Sequence, residues 1–144
     1  MSEFDDFLTK EEEVKIVQAI KDAEKNTSGE IRVHISQKRG DVMKLALKAF
    51  RKLGMNNTEL KNGVLFFVDV PQHKFVVLGD EGIDKVTPDD FWESIKELVV
   101  GEFKNGNFAD GLIAGIIAAG NKLKIHFPYQ SDDVNELSDE ISKS

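Results

Sequence analysis

Apolar positions recur along this chain with two different periods, and the switches between them mark its elements. From Thr9 to about Asn26, Val14, Val17, Ile20 and Ala23 repeat at helical spacing, and Thr9 with Glu12 has the form of a capping box. "EIRVHIS" (30–36) alternates, with Ile31, Val33 and Ile35 on one face and Glu30, Arg32 and His34 on the other, which predicts a strand. Asp41 is placed to cap a second helix whose buried stripe is Val42, Leu45, Ala46, Ala49, Phe50 and Leu53, with Gly54 just past its end. "GVLFFVDV" is continuously apolar, as expected of a central strand covered on both faces. "VPQH" turns the chain, and "KFVVLGD" returns as a third strand. Thr87-Pro88-Asp89-Asp90 then has the N-cap, the N1 proline and the acidic first turn of a third helix. After the break "NGNFADGL", a fourth and mostly apolar helix is expected over about 108–124.

The order α-β-α-β-β-α-α constrains the fold. A helical crossover makes the first two strands parallel, and a tight turn makes the third antiparallel to the second. The predicted fold class is α/β, a three-layer α/β/α sandwich around a small mixed sheet. Residues 1–128 form one domain, and 129–144 are expected to be an acidic, flexible tail. This topology brings the starts of the first two strands and the end of the third to one sheet edge. Glu30, Asn62 and Asp80 are predicted to meet there.

The 144 residues contain no cysteine, which excludes disulfides, zinc–thiolate sites and cysteine nucleophiles. The three histidines are scattered and have no zinc-site spacing. The acidic N-terminal stretch has no leader character, and the longest apolar run is too short and glycine-rich to span a bilayer, so a cytoplasmic monomer without membrane insertion is expected. Lys44, Lys48, Arg51 and Lys52, with Lys38 and Arg39 before them, form a basic stripe opposite the buried face of the second helix. A solvated polar face accounts for it better than a nucleic-acid footprint, so no nucleic-acid partner is expected.

Charge changes the picture at one place. The net charge is -7, yet residues 79–93 alone hold six acids against one lysine. Carboxylates so close must be solvated, capped onto a helix or neutralised by a cation. Asp89 and Asp90 suit the helix macrodipole, and Asp84 suits a turn; it is the convergence with Glu30 and Asp80 that points to a cation. Carboxylates with an amide are the ligand set of a hard divalent ion, calcium more than magnesium. The candidate metal ligands are Glu30, Asn62, Asp80, Asp84, Asp89 and Asp90. The stretch does not match an EF-hand loop, and no phosphate loop or nucleophile elbow occurs.

The segments "GEIRVHI", "AFRKLGM", "KNGVLFFVDVPQHKFVVLGDEGID", "TPDDFW" and "FKNGNFADGLIAGI" resemble the TPM domain family over about Leu8 to Pro128. The resemblance implies an α/β/α sandwich. It also implies divalent-ion binding and, by analogy with plant members, acid phosphatase activity. Family members typically carry G-x-G-(L/I)-E after the third strand. Here "GDEGID" is one residue longer and puts Asp80-Glu81 in its place.

The leading expectation is a TPM domain that binds calcium at the acidic edge. One alternative is a metal-dependent acid phosphatase acting on phosphate monoesters, with Arg32 as the nearest phosphate-binding cation. The other is an interaction module ordered by the cation, docking a membrane-associated or envelope protein, with either Phe91 or Trp92 exposed.

Overall fold

The computed structural model describes residues 7–129 and 136–144; the rest of both acidic termini lies outside the described residues. The elements are α1 (Lys10–Glu24), β1 (Glu30–Ser36), α2 (Val42–Lys52), β2 (Gly63–Asp69), β3 (Lys74–Gly79), a one-turn α3 (Glu81–Asp84), α4 (Glu93–Lys104), α5 (Phe108–His126) and β4 (Ser142–Lys143). The sheet order is β3-β2-β1-β4, with β3 antiparallel to β2 and the other pairs parallel. The fold is the predicted mixed α/β sandwich.

The continuous apolar run of β2 accounts for its three layers. Val64, Phe66 and Val68 point into a core shared with α1, α4 and α5, while Leu65 and Phe67 point the other way, toward α2. Every residue of β2 is buried. Burying a phenylalanine such as Phe66 contributes about 1.5–3 kcal/mol, so the two faces of this strand anchor both helical layers. α4 and α5 approach closely where Gly115 sits, since a Cβ there would meet Val99 Cγ2 at 2.6 Å.

Four details differ from the pattern. The capping box of α1 is present, but Ile16 and Ile20 set its buried face and Val14 is 68% exposed. A one-turn helix, α3, occupies the acidic loop. α4 starts at Glu93 and not at Thr87, whose hydroxyl instead donates to the Ile83 carbonyl at 2.8 Å. The cause is packing: Phe91 enters the core and the Trp92 ring lies against Gly79, and neighbouring residues cannot both be buried on one helix face. Finally, Ser142 and Lys143 pair with His34 and Ile35, giving the sheet one strand more than the pattern predicts.

No helix among the described residues is long and apolar enough to cross a membrane.

Candidate functional site at the sheet edge

The backbone brings the expected residues to one edge. Glu30 lies opposite Gly63, its amide donates to the Asn62 carbonyl at 3.2 Å, and the Asp80 amide donates to the Gly63 carbonyl at 2.9 Å. The side chains then take different surroundings.

Asp80 is the N-cap of α3. Its Oδ1 accepts from the Glu81 amide at 2.8 Å, while Oδ2 is buried and has no hydrogen-bond partner among the described residues. The residue is only 9% exposed, so an unpaired carboxylate oxygen here is costly unless something binds it. Gly82 fixes the turn against the preceding loop: its amide donates to the Lys61 carbonyl at 2.8 Å, and a Cβ would fall 2.3 Å from the Leu60 carbonyl oxygen. Asp84, at the end of α3, is exposed. Its carboxyl is held above the ordinary value by burial first, then by the charges of Asp80 and Asp89. Those three acids therefore share one local field. Asp89 and Asp90 lie exposed in the turns before α4, and Asp90 is not among the charges acting on Asp84.

Glu30 is held differently. Its Oε1 accepts the amides of Glu136 and Leu137, the latter at 2.8 Å, and its Oε2 is buried without a hydrogen-bond partner among the described residues. Burial pushes its pKa up to about 7 against the pull of those two amides, and Glu136 and Asp139 raise it further. The charges acting on Glu30 thus belong to the C-terminal segment and not to the acidic loop. Asn62 is buried, with Nδ2 donating to the Ser28 carbonyl at 3.2 Å. Among the described residues, no group of three or more histidine, aspartate or glutamate side chains is placed to hold a metal ion.

The sequence pattern missed Glu24. Its Oε2 accepts the Ile31 amide at 3.0 Å, and its pKa is pushed up to about 10, first by burial and then by a hydrogen bond with Asp139. Nothing in a helix-end glutamate signals this, because the partner comes from more than a hundred residues further on. Of the two aromatics expected to differ, Phe91 is buried and Trp92 half-buried. Grooves of about 480, 360 and 130 Å³ lie elsewhere, and none is lined by Asp80, Asp84 or Asp89.

Comparison with known proteins agrees with the fold. The family model described as TPM domain matches residues 1–122, and the chain belongs to that family. The solution structure of the BA42 protein from the psychrophilic bacterium Bizionia argentinensis is 50% identical and superposes with a TM-score of 0.91 over 96% of each chain. The N-terminal domain of a P. gingivalis protein shares the fold at 22% identity and TM-score 0.70, over 86% of this chain and 82% of that one. The N-terminal domain of cg2496 from Corynebacterium glutamicum does so at 12% identity and TM-score 0.63, over 95% and 81%. No curated protein matches the chain.

Proposed function

We propose that this TPM domain binds a divalent cation, calcium, at the α3 turn, through Asp80 and Asp84 with Asp89 close by. The observation that carries the reading is the buried, unpartnered Oδ2 of Asp80, beside acids near enough to raise Asp84. Two carboxylates leave most of the coordination shell to water, and calcium tolerates such an irregular, flexible shell better than magnesium does. Glu30 and Asn62 frame the edge in this reading, and Asp90 lies outside it.

The test is thermal. A ligand at a hundredfold excess over Kd that binds only the native state stabilises by about 2.7 kcal/mol, which corresponds to about 5–10 °C in Tm for a chain of this size. Calcium should raise Tm by that order beyond ionic-strength-matched sodium chloride, with magnesium less effective. The difference should disappear in Asp80→Asn and shrink in the exposed Asp84→Asn. Equal shifts from calcium and sodium would reduce the acids to capping and solvation.

An interaction reading draws on one further observation. Leu60 and Val86, on the loops either side of the Gly82 turn, are 47% and 51% exposed. A cation that stiffens α3 would then present them to a protein partner. Calcium-dependent retention on a Leu60→Ser/Val86→Ser surface equal to wild type would argue against this.

A further inference from the structure

The basic stripe on α2 is not uniform. Lys48 and Lys52 turn toward β1 and, with Lys38, line a groove of about 130 Å³ between α2 and the β1–β4 edge. The groove begins at His34, four residues along β1 from Glu30, so it lies roughly 13 Å from the acidic edge at 3.3 Å per residue. Its lining combines three features. Among the described residues, no acidic side chain lines it. Among the described residues, Lys38, Lys48 and Lys52 have no ion-pair partner, whereas Lys143, also in the lining, is held by Glu13 at 2.7 Å. The floor is apolar, built from Leu45, Leu53 and Phe67, with the His34 ring stacked on Phe67 at 5.5 Å.

His34 does not supply the charge. Its Nδ1 and Nε2 lie 2.7 Å from the hydroxyls of Ser142 and Ser144, and the Ser144 hydroxyl lies 3.1 Å from that of Ser36. Both ring nitrogens are therefore engaged within the protein. Burial, followed by Arg32, Lys38 and Lys52, lowers its pKa to about 4, so the ring is neutral at pH 7. Arg32, Lys38 and Lys52 acting on His34 also mark positive potential over the groove, in a chain whose net charge is -7. Three cations without an ion-pair partner among the described residues, set around an apolar floor, repel one another, and a bound anion would relieve this.

We propose that this groove binds a small organic anion, its apolar body on the half-buried Leu45 and Leu53 and its carboxylate or phosphate head among Lys38, Lys48 and Lys52. The site is independent of the cation reading, since it shares no residue with it.

Benzoate is a suitable probe, with benzyl alcohol as its uncharged counterpart and inorganic phosphate as the bare anion. In ¹⁵N–¹H spectra at constant ionic strength, benzoate should move the amides of Ser36, Leu45, Ala49 and Lys52 saturably. For so few atoms the expected Kd is on the order of 1 mM. Benzyl alcohol and phosphate should each bind about tenfold more weakly. The double variant Lys48→Gln/Lys52→Gln changes two exposed side chains and should weaken benzoate about tenfold while leaving the remaining spectrum in place. Shifts that do not saturate, benzyl alcohol or phosphate binding as tightly as benzoate, or an unchanged Kd in the double variant would each overturn the proposal.

Discussion

Asp80 and Glu30 reach the same sheet edge, each buried and each with one carboxylate oxygen lacking a hydrogen-bond partner among the described residues, yet they are held by different parts of the chain. Asp80 answers to its own turn: one amide of α3 and the neighbouring acids Asp84 and Asp89. Glu30 answers to a segment more than a hundred residues away, the amides of Glu136 and Leu137. Convergence of acids on an edge therefore does not by itself make one site. What each oxygen already accepts decides what remains available to a ligand.

The largest effect that bears on this contrast should come from Gly82→Ala. The added methyl would overlap the Leu60 and Lys61 carbonyl oxygens, which are backbone atoms that cannot swing aside. A loss of about 3 kcal/mol or more in chemical denaturation is expected, together with the calcium response, because the Asp80 turn rests on that contact. Next comes the pair Asp80→Asn and Glu30→Gln. The first should abolish the calcium-specific rise in Tm and the second should retain it; loss in both would merge the two acids into one site.

A third test uses pH. Glu30 holds its proton in the folded state up to about pH 7, whereas in the unfolded chain it ionises near its ordinary value of 4.5. Between those values the folded state binds more protons, so stability is greatest below the lower value and falls as pH rises through the upper one. The expected loss is roughly 1–3 kcal/mol between about pH 4.5 and 7.5, and Glu30→Gln should flatten that part of the profile. Glu24 acts in the same direction over a wider window, up to about pH 10, so the slope remaining in Glu30→Gln should fall further in Glu24→Gln/Glu30→Gln. A profile in Glu30→Gln as steep as wild type would show that Glu30 ionises normally in the fold. The smallest effect belongs to Asp90→Asn, exposed and outside the field on Asp84. It should change stability by less than about 0.5 kcal/mol and leave the calcium response intact.

Much of the fold is legible because local pattern and topology agree. The β2 run, the α2 stripe ending at Gly54 and the crossover between β1 and β2 each specify their neighbours. The α4 start is not, because Thr87-Pro88-Asp89-Asp90 has all the local marks of an N-terminus, while Phe91 and Trp92 pull the backbone into turns to reach their packing sites. The edge itself follows from strand directions. Its division between Asp80 and Glu30 does not, because it depends on Glu136, Leu137 and Asp139, which sit in a polar stretch without periodicity. Alternation places His34 on the face opposite Ile31, Val33 and Ile35, but its burial requires the tail strand that covers it.

That strand has a consequence for self-association. β4 is two residues long, and its hydrogen bonds with β1, extended by the Ser144 amide to the Ile35 carbonyl and the Gln37 amide to the Ser144 carbonyl, guard one open side of the sheet. Removal of residues 136–144 would bare the Ile35 carbonyl and the Gln37 amide beside the apolar floor of Phe67. An unpaired strand of that kind is a template for another chain. Truncated protein should therefore form concentration-dependent assemblies, visible by light scattering, under conditions where the intact chain stays dispersed.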